Sequence, residues 1–312
     1  MSKGAQAVAP TGQQHDIHRN GQRAAVTEVG AALRSYDVND MPVLDGFGIG
    51  DMATAARGCP LIPWPNRLHE GRYTWDDEEQ QTPLDEPDKG NALHGFTRFM
   101  NWRAADHTGD AVTMRLRLHA QQGYPFVLDL FAHYALDDEG LTVTTTARNV
   151  GGTPAPYAMG AHPYLTVGTD RIDEAVLHLP AATYLPTDQS QIPTGREPVE
   201  DTPYDFRTPR RIGAVEMDHA FTDLERDDSG RAWLELAHPD AGRAVTLWAD
   251  EHFPYLEVFT GDTLPERQRR RGGLGVEPMT CPPNAFQTGE DVLRLEPGDE
   301  FACRWGILPT PR

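Results

Sequence analysis

Three ionisable residues lie in settings that suit proton transfer better than core packing. Glu277 lies between a glycine-rich stretch and a run with three prolines, in the segment Gly275–Phe286. Because proline fixes φ and removes a backbone donor, this segment is predicted to be stiff and irregular, outside a helix or a central strand. His94 and His162 are each flanked by glycine, and Pro163 follows His162, so both are expected at turns or strand ends. A carboxylate and two imidazoles so placed point to general acid–base chemistry.

A polar segment upstream is suited to binding a polyol. Two prolines around Trp64 predict an extended, rigid lead into Asn66 and Arg67. Asparagine offers a donor and an acceptor, and arginine offers a planar fork of donors. A surface salt bridge explains Arg67 about equally well. Asp218 lies between apolar residues and is a weaker candidate, because a hydrogen-bonded residue at the edge of the core has the same pattern.

Metal and cofactor sites receive little support from the sequence. His94, His162 and Glu277 could form a two-histidine, one-carboxylate set, but no short spacing joins them. The sequence lacks the phosphate-binding, dinucleotide-binding, zinc-protease and serine-hydrolase motifs. We therefore expect no metal and no cofactor.

The segment Pro265–Gly273 concentrates four arginines in an otherwise acidic protein. A solvated loop is the first interpretation, because runs of charge usually face water. Its nearness in sequence to Glu277 leaves open a second one, an anion clamp for a phosphorylated or sulfonated ligand.

Composition excludes several classes of partner. The chain has 312 residues, with 28 Lys and Arg against 47 Asp and Glu, a net charge of −19. Such a surface repels nucleic acid and anionic lipid. Three widely spaced cysteines form neither a disulfide framework nor a metal motif, and no apolar stretch reaches membrane-spanning length. We expect a cytoplasmic protein with a small-molecule partner, as a monomer or a homodimer.

The elements that must position these residues are predicted to be strands. Strands are predicted where apolar and polar residues alternate or β-forming residues are frequent, at residues 112–118, 126–136 and 141–148. The last two segments are predicted to form a hairpin around Asp137–Gly140. Further strands are expected at 172–179, 231–237, 244–250, 255–260 and 301–308. Many strands joined by Pro/Gly turns indicate an all-β, antiparallel β-sandwich. We expect one domain over residues 1–312, with 1–20 a flexible or edge segment and Asp76–Lys89 a long surface loop.

Taken together, these motifs resemble the aldose 1-epimerase (galactose mutarotase) family. The matching segments occur in the family's order from about residue 60 onwards: Asn66-Arg67, Asn91-Ala-Leu-His94-Gly95, His162-Pro163-Tyr164, Asp218, Phe259-Thr-Gly-Asp262 and Val276-Glu277-Pro278. The resemblance implies a large antiparallel β-sandwich, the supersandwich, with a sugar bound in an open cleft on one sheet.

The resemblance also assigns roles to residues. It implies that His162 is the general acid and Glu277 the general base, while Arg67, His94 and Asp218 hold sugar hydroxyls. Asn66, Tyr164 and Glu257 complete the set of expected substrate-binding residues. Galactose mutarotases usually carry glutamine where this chain has Glu257, and the residues around Trp64 and Glu277 look like those of a bacterial subgroup, so the resemblance leaves the sugar open.

One general acid and one general base are sufficient for mutarotation. A base takes the proton of the C1 hydroxyl while an acid protonates the ring oxygen, and the two exchange roles when the ring recloses. The alternatives are a mutarotase or epimerase of a phosphorylated or sulfonated hexose, and a non-catalytic carbohydrate-binding protein on the same scaffold. A binding protein would not need both His162 and Glu277. A glycoside hydrolase generally uses two carboxylates, and Glu277 alone has a persuasive setting.

Overall fold

The computed structural model describes residues 8–311 and consists mainly of strands and connecting turns. The helical elements in this range are short: 3₁₀ turns at Thr54–Ala56, Thr97–Phe99 and Arg267–Arg269, and one α-helical turn at Ala285–Thr288. The strands are, in chain order, β1 (Gln14–Arg19), β2 (Gln22–Thr27), β3 (Leu33–Val38), β4 (Met41–Pro42), β5 (Pro60–Leu61), β6 (Arg67–His69), β7 (Arg72–Trp75), β8 (Glu78–Gln81), β9 (Asn91–Leu93), β10 (Arg103–His107), β11 (Ala111–Leu118), β12 (Leu128–Leu136), β13 (Leu141–Asn149), β14 (Ala155–Tyr157), β15 (Gly160–Ala161), β16 (Tyr164–Leu165), β17 (Val176–His178), β18 (Ala181–Tyr184), β19 (Glu197–Pro198), β20 (Arg210–Arg211), β21 (Asp218–Leu224), β22 (Ala232–Ala237), β23 (Arg243–Ala249), β24 (Tyr255–Phe259), β25 (Leu274–Met279), β26 (Leu293–Leu295) and β27 (Glu300–Pro311).

Two large antiparallel sheets contain most of these strands. One has the order β10-β11-β12-β13-β27-β23-β22-β17-β20, and the other has the order β19-β18-β21-β24-β25-β15-β5, with β16 also paired to β25. A four-stranded sheet, β1-β2-β3-β4, and three two-stranded pairs complete the fold. Buried apolar side chains of both large sheets, such as Leu130 and Val258, belong to one core that extends from Ile17 to Ile307. The predicted all-β antiparallel architecture is confirmed.

Most of the predicted strands are present close to their expected bounds. The hairpin expected at residues 126–148 consists of β12 and β13, which pair from Leu128 with Asn149 to Leu136 with Leu141. Buried and half-exposed residues alternate along both strands, as the sequence pattern predicted. The strand expected at 172–179 is shorter, since only Val176–His178 pairs.

Two expectations about loops need correction. The predicted loop Asp76–Lys89 contains β8, which pairs with β7, so part of it is a hairpin. Residues 1–7 of the predicted flexible or edge segment lie outside the described residues, and Gln14–Arg19 forms the edge strand of the four-stranded sheet. Within residues 8–311, no helix is long and apolar enough to cross a membrane.

Glu277 lies inside a strand near the middle of its sheet, which corrects the prediction of an irregular segment. Strand β25 pairs with β24 on one side and with β15 and β16 on the other. The N–H groups of Val276 and Thr280 bond toward the second side. Pro278 falls between them, opposite the interruption that separates β15 from β16. Proline is tolerated here because the ladder is already interrupted at the position where its missing N–H would point.

Candidate active site

Seven of the predicted site residues line one cavity of about 230 Å³: Asn66, Arg67, His94, His162, Tyr164, Asp218 and Glu277. They come from separate parts of the chain, and the sheet containing β21, β24 and β25 brings several of them together. The remaining wall includes Phe259 and the segment Thr263–Pro265. The cavity is therefore rich in polar groups that converge on a small volume.

His162 and Glu277 form an ionisable pair in the wall of the cavity. His162 occupies the interruption between β15 and β16, directly beside the strand that carries Glu277. Its Nε2 lies 3.1 Å from Oε1 of Glu277. Only 4 % of His162 and 2 % of Glu277 is exposed, so water screens the pair weakly. The structure thus brings together the two residues expected to act as acid and base.

Burial decides how many protons this pair holds. Desolvation, and then the negative charge of Asp218, raises the pKa of Glu277 well above its ordinary value. Desolvation, and then the positive charge of Arg57, lowers the pKa of His162 to about 3. Both shifts disfavour the doubly protonated and the doubly deprotonated pair near neutral pH. The pair therefore shares one proton over a wide pH range.

An aromatic stack holds the imidazole of His162 in place. The Tyr164 ring lies nearly parallel to it, at 9° and with ring centres 4.9 Å apart. The guanidinium of Arg57 lies 3.7 Å from the centre of the Tyr164 ring and pairs with Asp45 at 2.8 Å. Arg57 is 2 % exposed, so this cation is fixed. Tyr164 therefore orients the imidazole as well as lining the cavity.

His94 presents a hydrogen-bond donor to the cavity. The backbone N–H of Asn66 donates to its Nδ1 over 3.0 Å. A nitrogen that accepts this bond carries no hydrogen, so the neutral ring carries its hydrogen on Nε2. The neighbouring Gly95 is required, because a Cβ there would come within 2.1 Å of the carbonyl oxygen of Ile62.

The same tautomer argues against a metal centre. Ligand atoms of His94, His162 and Glu277 lie within 4.8 Å of one another, as a two-histidine, one-carboxylate site would require. However, Nδ1 of His94 accepts the N–H of Asn66 and Nε2 carries a hydrogen, so the ring has no lone pair available for an ion. The chemistry of these donors fits proton transfer and hydrogen bonding better than coordination.

Arg67 is held by a residue that sequence reasoning missed. Glu86 accepts two hydrogen bonds from its guanidinium, at 2.9 and 3.1 Å, and also lines the cavity. Asn91 donates to the same carboxylate. A carboxylate oxygen of Asp218 lies 3.8 Å from the same guanidinium. Glu86 belongs to the stretch that was predicted to be a surface loop, and no local pattern distinguishes it from the other acidic residues there.

Arg98 is a second residue of the cavity wall that the sequence did not reveal. It pairs with Asp85, and its Nε is buried with no hydrogen-bond partner among the described residues. Its side chain is 11 % exposed and lines the cavity near His94 and Leu93.

Glu257 lies beside the cavity and is not among the described side chains that line it. It is 2 % exposed and pairs across the strands with Glu277. Its expected contact with substrate stays a prediction. Burial, and then the negative charge of Asp218, raises the pKa of Glu257 well above its ordinary value.

Two of the four arginines in the run are held by carboxylates. Arg269 pairs with Asp45 at 3.0 Å, and Arg271 pairs with Asp173 and Asp262. Arg271 is only 5 % exposed. The interpretation as a wholly solvated loop is therefore wrong for these two arginines, and neither lines the cavity.

Comparison with known proteins identifies the family of this chain. The sequence pattern described as aldose 1-epimerase matches residues 13–305. This chain belongs to the aldose 1-epimerase family. It is 33 % identical over 290 residues to the uncharacterized protein YihR of Escherichia coli (strain K12), covering 92 % of this chain and 90 % of that one. It is 28 % identical over 258 residues to a Mus musculus protein named galactose mutarotase, covering 76 % and 73 %.

Solved structures of the family share the fold. An aldose epimerase homologue from Caenorhabditis elegans superposes with a TM-score of 0.85 at 19 % identity, over 96 % of this chain and 99 % of that one. A galactose 1-epimerase from Lactobacillus acidophilus gives a TM-score of 0.77 at 21 % identity, over 94 % and 92 %. The predicted galactose mutarotase-like β-sandwich is thereby confirmed, and family membership supports an isomerase that acts on sugars.

Proposed function

We propose that this protein is a mutarotase that interconverts the α and β anomers of a free aldohexose. The observation that carries the proposal is the buried contact of 3.1 Å between His162 Nε2 and Glu277 Oε1 inside a polar cavity. The cavity of about 230 Å³ is small beside the roughly 300–1,000 Å³ of drug-sized sites, which favours a single sugar ring.

The shared proton of the pair matches the needs of ring opening. The directions of the two pKa shifts place the shared proton on Glu277 at rest. Once this proton moves to His162, Glu277 removes the hydrogen of the C1 hydroxyl while His162 protonates the ring oxygen, and the C1–O5 bond breaks. The open aldehyde leaves the proton on Glu277. After rotation about C1–C2, Glu277 returns it to the aldehyde oxygen as O5 attacks C1, and His162 recovers the O5 proton. Each cycle ends with the proton count unchanged.

The other residues orient the sugar for this exchange. Arg67 and His94 supply donors, and Asp218 supplies an acceptor at the same cavity. Because these groups are held by Glu86 and by the backbone of Asn66, little rearrangement is needed on binding. No cofactor is expected in this mechanism, since no C–H bond breaks and no electrons are transferred.

Polarimetry of freshly dissolved sugars tests the proposal. The wild-type protein is expected to hasten the approach of α-D-glucose or α-D-galactose to anomeric equilibrium above the buffer rate. The panel should include 6-phosphorylated and 6-sulfonated hexoses, because the arginine run raised them as alternatives. No acceleration for any sugar in the panel would overturn the mutarotase assignment. Sugar binding with no acceleration in the wild-type protein, and with lower affinity in His162→Ala and Glu277→Ala, would indicate a binding protein instead.

A further inference from the structure

Three carboxyl groups lie on adjacent strands of the sheet that carries the cavity. They belong to Asp218 of β21, Glu257 of β24 and Glu277 of β25, and Glu257 lies between the other two strands. Glu257 and Glu277 are each 2 % exposed, while the side chain of Asp218 is 22 % exposed. Burial of this many negative charges together would be costly, so their protonation states must differ.

The cations nearby do not compensate all three groups. The charged groups of the described residues that act most strongly on Glu257 are Asp218 of β21, Glu277 of β25 and Arg67 of β6. Arg67 is already engaged by both carboxylate oxygens of Glu86. Glu257 therefore has two like-charged neighbours and shares one cation that another carboxylate binds.

Hydrogen bonding indicates which carboxyl keeps a proton. Asp218 lies opposite Phe259, two residues along β24 from Glu257, and Glu277 lies opposite Glu257, so all three carboxyl groups lie on one face of the sheet. Neighbouring buried carboxyl groups can share a hydrogen bond only when one of them is protonated. Asp218 is the more exposed partner and also accepts a bond from the side-chain amide of Gln191. Oε2 of Glu257 has no hydrogen-bond partner among the described residues, which a neutral acid tolerates far better than a carboxylate.

We propose that Glu257 is a positioning residue that acts as a neutral acid, donating its carboxyl hydrogen to Asp218 and holding that carboxylate toward the sugar. Burial, and then the charges of Asp218 and Glu277, raises the pKa of Glu257 well above its ordinary value, in agreement with this role. A neutral Glu257 also leaves the cavity without a further negative charge beside Glu277. The kinetic consequence rests on the proposed function, whereas the protonation state does not.

Infrared spectroscopy tests the protonation state without any sugar. A difference spectrum between the wild-type protein and Glu257→Gln at neutral pH should contain the carbonyl stretch of a protonated carboxylic acid. A difference spectrum that contains only carboxylate bands would overturn the proposal. This measurement remains decisive even if the protein proves not to be a mutarotase.

Kinetics test the positioning role. Glu257→Leu removes the donor and is expected to raise KM about tenfold, the loss typical of one hydrogen bond to a charged group. Glu257→Gln retains a donor of the same size and should reverse most of that rise. Because it replaces one neutral group by another, it should also leave the alkaline limb of the kcat/KM profile in place.

Two outcomes contradict this account. A downward shift of the alkaline limb by about one pH unit in Glu257→Gln would show that a negative charge beside Glu277 had been removed. An unchanged KM in Glu257→Leu would show that the donor does not position Asp218. Circular dichroism shows whether the leucine variant folds. If it does not, the position of the alkaline limb in Glu257→Gln and the infrared spectrum still test whether Glu257 is neutral.

Discussion

Replacement of Glu277 by glutamine separates catalysis from folding and binding in this site. The side chain is 2 % exposed and lies 3.1 Å from His162, so the substitution must preserve its volume and its hydrogen bond. Glutamine does both, because its amide can donate to or accept from the imidazole. It cannot take a proton from a hydroxyl group. A positioned general base contributes roughly 10²–10⁴-fold, so kcat/KM should fall by this factor, or about 3–5 kcal/mol of transition-state stabilisation.

The cost to folding should be much smaller than the cost to rate. One altered hydrogen bond in an otherwise unchanged site is expected to cost about 1 kcal/mol, or roughly 2 °C in Tm for a chain of this size. Sugar affinity, measured by calorimetry, should change by less than about threefold, since the residues that hold the hydroxyls remain. Glu78→Gln, an exposed substitution on β8, is the matched control and should match wild type in every measurement.

The assay is polarimetry supported by exchange spectroscopy in NMR, with the buffer rate subtracted. If Glu277→Gln retains more than about a tenth of wild-type kcat/KM, the carboxylate is not the base and the reasoning fails. A double variant with His162→Gln should lose little more than the worse single variant, because the two groups act as one unit. Additive losses would contradict a shared proton.

Three further predictions concern pH dependence and the groups around the pair. The kcat/KM profile should be bell-shaped and flat through neutrality. Its acid limb should lie below pH 6.5 because the pKa of His162 is lowered, and its alkaline limb should lie well above pH 4.5 because the pKa of Glu277 is raised. A profile with a single limb near pH 6.5 would contradict the shared proton. Glu86→Gln should raise KM about tenfold with kcat nearly unchanged, because Arg67 loses a charged partner, and a kcat loss without a KM change would refute this role. Arg271→Gln breaks a buried ion pair, so calorimetry should record a Tm lower by about 5–10 °C. KM should change equally for neutral and anionic sugars. A rise in KM confined to anionic sugars would instead support the interpretation of the arginine run as an anion clamp.

The strand pattern was predictable because its signal is local. Alternation of apolar and polar residues in β11 and β13, and the turn between β12 and β13, encode burial on one face without reference to the rest of the chain. The turn positions of His94 and His162 were also accessible, since glycine and proline beside them restrict the backbone.

Other features depended on partners far away in the sequence. Pro278 is compatible with a central strand only because the neighbouring ladder is interrupted, which no local pattern reveals. Glu86 acquires its role from Arg67, and the arginine run acquires its role from Asp45 and other distant carboxylates. Each of these roles depends on two residues that are distant in sequence, so neither segment alone predicts the contact.

By itself, the sequence determined an all-β chain with an imidazole, a carboxylate and polyol-binding groups at stiff positions, and with no cofactor motif. Only the tertiary structure decided that His162 and Glu277, which are 277 − 162 = 115 residues apart, lie 3.1 Å from each other. It also decided how many protons they hold, because a pKa depends on burial and neighbouring charge, and both exist only after distant strands have paired.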